Sequence, residues 1–244
     1  MELIDNCIIP QWPAPANVKA LQTTRIGGSS SASYHNFNLG SHVGDSPLTV
    51  AHNRQLLSPL LPSEPVWLDQ VHGVTVVNAS AAACRPQADA SIATRAGAVC
   101  VVMTADCLPV LLCDLHGSVV CAVHAGWRGL CNGILEQAAH SMKVAPQNLM
   151  AWLGPAIGPQ AFEVGDDVYS AFIARQPQAA SAFVPTLPGK WLADIYQLAR
   201  LRLEALNVAQ VYGGNWCTYS ESQRFYSYRR DGNTGRMGTF IWMD

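Results

Sequence analysis

The chain has 244 residues, ample for a buried core, and 49% of them are hydrophobic against 13% charged, which excludes a disordered chain. Formal net charge is −2 and no lysine or arginine run occurs, so composition gives a nucleic-acid partner no footing. The longest apolar runs are strand-sized with polar interruptions, so no membrane span is expected, and the acidic start Met1-Glu2-Leu3-Ile4-Asp5 lacks the n-region and h-region of a secretion signal, so a cytoplasmic location is expected.

Glycine and proline are scattered as turn punctuation, and no repeat, low-complexity tract or long linker appears, so one domain over 1–244 is the simplest organisation. Along the chain, 23–28 places Arg25 before a glycine turn, and 36–45 carries Asn36, Asn38 and His42. Both are candidate pocket material, and both are equally ordinary turn chemistry. Next, Trp67-Leu68-Asp69-Gln70-Val71 leads to His72 and Gly73. If this segment is a strand, Gln70 and His72 point the same way.

The middle of the chain reads as strands. The β-rich run 99–104 ends before Asp106 and Cys107, and 110–113 follows Pro109. After the turn signal Asp114-Leu115-His116-Gly117, a further strand covers 118–123. The last two should form a hairpin, and runs apolar on both faces predict a sheet covered on both sides. His124 ends that strand, and the glycine-flanked Ala125-Gly126-Trp127-Arg128-Gly129 leads into a helix. Such a turn presents free backbone N–H groups to an anion, and Arg128 adds a planar charged fork. Leu130, Ile134, Leu135, Ala138 and Met142 recur at helical spacing and predict one helix over 130–143. Leu192, Ile195, Tyr196, Ala199, Leu203 and Leu206 share one face and predict a second. Near the end, 227–231 clusters Arg229 and Arg230. Strands and helices mix without a strict βαβ rhythm, which favours α+β.

Three segments each carry one strong metal-binding side chain. They centre on His72, Cys107 and His124, which could converge on one zinc ion and leave its fourth position open, as in a catalytic site. Spacing alone is a weak signal, because the three lie far apart and each has a bland reading as a core or turn residue. Asp106 beside the thiol is what singles out Cys107 among eight cysteines. The others (Cys7, Cys84, Cys100, Cys113, Cys121, Cys131 and Cys217) mostly lie in apolar runs and are expected reduced and buried. No C-x-x-C occurs, so neither a zinc ribbon nor a thioredoxin-type site is indicated.

Taken together, the segments TTRIGG, NLGSHVGD, DQVHG, TADCLPVLL, HAGWRGL, AWLGPAIGP, FEVG, CTY and SYRRDGNTGRM closely resemble the YfiH family, from about Thr23 to Ile241. This family is also called the laccase-like polyphenol oxidoreductase or peptidoglycan-editing-factor family. The resemblance implies a single α/β/α sandwich-like domain with mixed sheets, similar to the catalytic domain of the cytotoxic necrotizing factor deamidases. Those enzymes use a Cys–His pair, to which Cys107 and His124 would correspond. It also implies zinc on His72, Cys107 and His124. The associated activities are phosphorolysis of purine nucleosides including methylthioadenosine, adenosine deamination, polyphenol oxidation, and removal of L-serine misincorporated into a UDP-linked muramoyl precursor.

Chemistry ranks these activities. The chain has seven histidines and no His-x-His pair, which argues against a multicopper oxidase. Copper can accept a His₂Cys set, but a blue-copper site also wants a weak axial ligand, for which Met103 is the candidate. Three protein ligands and a water suit hydrolysis at adenosine C6 or at a seryl amide, with Asp106 or His42 moving the proton. The zinc deaminase signature H-x-E with P-C-x-x-C is absent, so deamination would need another scaffold. Phosphorolysis needs a phosphate site, for which Arg25, Arg128 and Arg229 are candidates; Asn38, His42 and Gln70 complete the expected substrate contacts. A zinc-stabilised binding module is the non-enzyme reading. The expectation is a zinc enzyme taking small molecules: a purine nucleoside, by phosphorolysis with phosphate and by deamination, with amide hydrolysis of a UDP-muramoyl-serine precursor as the alternative. Nothing in the sequence fixes an oligomeric state.

Overall fold

A computed structural model describes residues 3–81 and 85–244; Cys84 and the first two residues of the chain lie outside the described residues. Among the described residues, twelve strands run in chain order as β1 (Val18–Gln22), β2 (Val76–Asn78), β3 (Ala90–Ala93), β4 (Cys100–Thr104), β5 (Leu108–Asp114), β6 (Val120–Ala125), β7 (Leu149–Leu153), β8 (Glu163–Gly165), β9 (Phe183–Pro185), β10 (Lys190–Ala193), β11 (Gln210–Gly213) and β12 (Met237–Met243). The α-helices are α1 (Pro47–Gln55), α2 (Trp127–Asn132), α3 (Ile134–Ser141), α4 (Asp166–Arg175), α5 (Ile195–Ala205) and the single turn α6 (Tyr228–Asp231).

The largest sheet has six strands in the order β11-β7-β5-β6-β3-β2. Its outer pairs, β11 with β7 and β2 with β3, are parallel and its inner pairs antiparallel, so it is a mixed sheet. The predicted hairpin is β5 and β6, with Val110 opposite Val123 and Cys113 opposite Val120. Its turn is held by Asp114, whose carboxylate accepts hydrogen bonds from Ser118 N (2.6 Å), Ser118 Oγ (2.9 Å) and Val119 N (3.0 Å).

Period-two alternation sends the two faces of β5 to different layers. Val110 and Leu112 join Leu130, Ile134, Leu135, Leu198 and Leu203 under the helices. Leu111 and Cys113 join Cys100, Val102, Ile241 and Met243 on the other side. Those last four belong to a second, antiparallel sheet ordered β1-β12-β4. Its far face packs Leu21, Val101 and Phe240 against Phe37, Leu57 and Trp67. Burying each such Leu, Val or Phe side chain contributes about 1.5–3 kcal/mol. The mixed, α+β character is as expected, and the layer between the helices is two stacked sheets rather than one. A small third sheet, β8-β10-β9, lies beside α4, where Tyr169 stacks on Trp191 with ring centroids 4.0 Å apart.

Two predicted helices are corrected. The span 130–143 is broken: α2 ends at Gly133, whose left-handed φ of 100° caps it, and α3 starts afresh. In the other, Leu192 belongs to β10, and Asp194 starts α5 by accepting from Tyr196 N (2.9 Å) and Gln197 N (3.0 Å). The segment around Gln70 and His72 is a loop, not a strand, with His72 at a positive φ of 60°.

No described helix is long and apolar enough to cross a membrane.

Candidate metal centre and cleft

The two large sheets part at one corner. Between Thr104 and Leu108 the chain crosses from β4 to β5 in three residues, and Asp106 makes the turn at φ 85°. This crossing puts Cys107 at the start of β5, next to the end of its partner β6. Pro109 lies opposite His124 in register. From across the corner the 69–73 loop brings in His72.

Asp89, just before β3, ties loop and strand together. It is fully buried. Its Oδ1 accepts from His72 N (2.9 Å) and contacts His124 Nδ1 (2.7 Å); Oδ2 accepts from Gly73 N (2.7 Å) and Val71 N (3.3 Å). With Nδ1–H directed at Asp89, His124 presents Nε2 toward Cys107 as its ligand atom, the arrangement that fixes tautomer and ring orientation in metal-binding histidines. His72 and His124 meet edge to face, with centroids 4.8 Å apart.

The donor atoms of His72, Cys107 and His124 lie within 4.8 Å of one another, and Cys107 Sγ is 3.7 Å from His72 Nε2. A thiolate and an imidazole on one tetrahedral zinc sit about 3.5 Å apart, given the usual bond lengths. The donors therefore fit a single ion. No fourth His, Cys, Asp or Glu joins this group among the described residues, so a bound ion would keep a position for a non-protein ligand. Gly126 is a condition of this packing: a Cβ there would stand 2.7 Å from His72 Cδ2 and 3.1 Å from Cys107 Sγ.

Electrostatics separates Cys107 from the structural thiols. Burial pushes it up, but the His124 charge and hydrogen bond, then those of His72, outweigh this and bring it down to about 6. Burial pushes His124 down, and the Cys107 charge and the Asp89 hydrogen bond carry it up to about 9. Cys7, Cys100 and Cys113 are pushed up to about 12 by burial. These three, with Cys107, Cys121, Cys131 and Cys217, are free thiols; Cys7 and Cys217 are half-buried rather than buried.

The triad opens into a cleft of about 520 Å³. Of the residues expected at the site, His42, Gln70, Asp106, Arg128 and Arg229 line it with the triad; Arg25 and Asn38 do not. The Arg25 fork bonds the carbonyls of His35 and Ser222 beside the Tyr226 ring. Asn38 is fully buried and holds Gly40, Asp45 and the Arg236 backbone. Gln70 reaches the cleft, yet its amide brackets Met103, donating to its carbonyl (2.8 Å) and accepting from its N–H (2.7 Å). Asp106 accepts from Thr218 Oγ1 (2.6 Å), Arg229 N (2.6 Å) and Ser227 Oγ (3.0 Å), and its carbonyl accepts from Ile157 N (3.0 Å). It thus fastens three segments to the corner, two of which, at Ile157 and at Arg229, form cleft wall. Met103 Sδ faces Arg54 Nη2 at 3.8 Å.

Sequence reasoning missed Asp89, Arg236 and the aromatic walls formed by Phe162, Trp127 and Tyr228. Arg128 lies over Trp127 (4.5 Å), Arg229 over Phe162 (5.7 Å) and Arg236 over Tyr228 (5.9 Å). The available signal was Arg236 just ahead of the final strand. For Asp89, nothing in the chain links it to a histidine 35 residues on.

A corner between two sheets that carries three donors able to hold one metal ion, in an aromatic, arginine-rimmed cleft, defines a mixed α/β protein with a candidate metal site. The family model described as "Multi-copper polyphenol oxidoreductase laccase" matches residues 19–244, and the chain belongs to that family. Among curated relatives, Purine nucleoside phosphorylase PA4543 of Pseudomonas aeruginosa is 53% identical over 237 residues, covering 97% of this chain and 98% of its own. Purine nucleoside phosphorylase YfiH of Escherichia coli is 53% identical over 239 residues with the same coverage. The solved structure of Neisseria meningitidis protein NMB0706 superposes with a TM-score of 0.95 at 52% identity, covering 98% of this chain and 99% of that one. YlmD from Geobacillus stearothermophilus gives a TM-score of 0.85 at 29% identity, covering 95% and 93%.

Proposed function

We propose that the protein is a zinc-dependent purine nucleoside enzyme that cleaves adenosine, inosine, guanosine and methylthioadenosine by phosphorolysis and also deaminates adenosine. The observation that carries this reading is the His72–Cys107–His124 group facing a cleft whose aromatic walls suit a planar base and whose arginines suit an anion. Relatives sharing about half their residues along nearly the whole chain bear the name purine nucleoside phosphorylase. The cleft volume of about 520 Å³ lies within the usual range for a small ligand.

In phosphorolysis a phosphate oxygen bonds to ribose C1′ while the C1′–N9 bond breaks. The electron pair leaves on the purine, which takes the proton of monohydrogen phosphate. Phe162, Trp127 and Tyr228 hold the base, and the arginines hold the phosphate against it. In deamination, water adds at C6 and ammonia leaves. Burial, then the charges of Arg236, Arg85 and Arg54, outweigh Asp69 and lower His42, so its imidazole is neutral at pH 7 and can accept the proton of that water. Asp106 acts as a positioning residue through the wall segments it fastens. Zinc, when bound, supplies a Lewis acid that lowers the pKa of water towards about 7. One three-donor group among the described residues favours zinc over the several coppers of a multicopper oxidase.

The test is mass-resolved product analysis of zinc-loaded protein given adenosine with and without phosphate, beside Cys107→Ala. Phosphate-dependent adenine and ribose-1-phosphate, or phosphate-independent inosine, lost in the variant, support the reading. No product above the variant sinks it, and release of L-serine from a UDP-muramoyl-serine precursor becomes the next assay.

A further inference from the structure

We propose that Arg236 is the principal phosphate-binding side chain of this cleft, a role that rests on the phosphorolytic reading above. Arg236 lines the cleft with the triad, immediately before β12, whose first residue pairs with Thr104. Register therefore sets it against the β4–β5 crossing that carries Asp106 and Cys107.

Its fork is held from behind and free in front. Nη1 donates to the carbonyls of Thr234 (2.8 Å) and Gly235 (3.0 Å), which fixes the guanidinium plane. Its backbone N–H donates to Asn38 Oδ1 (2.9 Å), and its stem lies so close to Gly40 that a Cβ there would meet Arg236 Cγ at 2.8 Å. Nε and Nη2 have no acceptor and no carboxylate pairs with the group among the described residues. Burial lowers Arg236, and the charges of Cys107 and Asp106 partly offset this. A half-buried guanidinium with one edge unpaired, pre-set by the fold, is the donor geometry that grips a phosphoryl oxyanion through two parallel N–H···O bonds.

The other arginines lack this combination. Arg25 gives both sides of its fork to backbone carbonyls, and Arg54 turns its Nε and Nη2 edge to the Leu39 carbonyl and lies over the Trp67 ring; neither lines the cleft. Arg128 and Arg229 reach the cleft but stand exposed, and Arg229 Nη1 bonds Ala161 O at 3.3 Å. They can attract an anion, while Arg236 sets its position. Asn38, which does not reach the cleft, then acts on phosphate through the Arg236 backbone.

The experiment is calorimetric titration of inorganic phosphate into the full-length, zinc-loaded protein, for wild type, Arg236→Gln, Arg236→Lys and Arg229→Gln, with KM for phosphate and for adenosine measured alongside. The expected result is at least tenfold weaker phosphate binding in Arg236→Gln, a matching rise in KM for phosphate, and KM for adenosine within twofold of wild type. Arg236→Lys, which keeps the stem and the charge but loses the fork, should fall between, and its affinity decides the matter if the glutamine variant does not fold. Arg229→Gln, which removes an attracting charge at the rim, should weaken phosphate binding less than Arg236→Gln does; an equal or larger loss in Arg229→Gln overturns the assignment. Phosphate affinity within twofold of wild type in both Arg236 variants overturns the assignment, even if adenine is formed. Phosphate binding lost with Arg236 in a protein that makes no adenine upholds the subsite and refutes the phosphorolytic reading instead.

Discussion

Asp89→Asn tests how the centre is assembled. The carboxylate serves two donors on each oxygen: His72 N and His124 Nδ1 on one, Gly73 N and Val71 N on the other. An amide cannot satisfy both sets. With its NH₂ toward Gly73 and Val71, two N–H groups face a donor, and at about 1.5–3 kcal/mol per hydrogen bond to a charged group the loss is about 2–4 kcal/mol, given that the Val71 contact is long. With its NH₂ toward His124, Nδ1 must become an acceptor, the proton moves to Nε2, and the ligand atom is blocked. Either orientation should lower zinc affinity about 10–100-fold, the range for lost outer-shell partners of metal-binding histidines. The unfolding midpoint should fall by about 2–4 °C per kcal/mol lost. Competition with a chromophoric chelator reads the affinity and thermal unfolding reads the stability. Zinc affinity within twofold of wild type would refute the reasoning, because it would mean that Asp89 does not set the His124 tautomer.

Gly126→Ala should fold, because Gly126 has an ordinary φ of −63°, yet lose at least about tenfold in zinc affinity by the same chelator competition, since its Cβ would press on His72 and Cys107. Gly133→Ala should cost about 1–2 kcal/mol in urea unfolding and leave zinc affinity unchanged, because space is available and only the left-handed φ of 100° is penalised. Asp114→Asn should cost about 2–3 kcal/mol at pH 7 from lost charge-assisted bonds in the β5–β6 turn. Burial raises Asp114, but the bonds from Val119, Ser118 and His116 outweigh this and lower it. Its contribution is therefore complete above the unfolded carboxylate value of about 3.9 and is lost as pH falls through the lower folded value. The wild-type advantage over the variant in urea unfolding should be flat from pH 7 to about 5 and shrink only in acid; an advantage that shrinks already between pH 7 and about 5 contradicts this assignment.

Where a single local rule decided the structure, the sequence was sufficient. The β5–β6 hairpin follows from two doubly apolar runs around Asp114-Leu115-His116-Gly117, and the two-layer burial of β5 follows from that same double apolarity. Where two rules competed, the weaker signal was read. Leu192 falls in phase with the α5 face, but Asp194 is the better helix start and pairing with β8 and β9 claims Leu192 for β10. Gly133 lies inside a continuous helical pattern and takes the conformation that ends it. Pro109 was expected to precede a strand and is instead inside one; its missing N–H falls just before the ladder with β7, which begins at Val110.

The centre itself shows why spacing alone was weak. His72, Cys107 and His124 share no helix face or turn; they meet because β4 passes from one sheet to the other in three residues and the 69–73 loop folds over Asp89. The side chains that bring them together, Asp89 and Asp106, are carboxylates whose partners lie up to 123 residues away. A lone acidic residue beside a strand is usually a solvated edge, so neither announces its role. The same holds in reverse for Arg25 and Asn38. A glycine turn makes both look like ligand contacts, whereas that turn is what lets their polar groups close on backbone. In a site built at a corner, the residues that reach the ligand and the residues that shape the corner have the same composition. They differ in whether the backbone has already taken their donors and acceptors: it has for Arg25, Asn38 and Gln70, and it has not for the outer edge of Arg236.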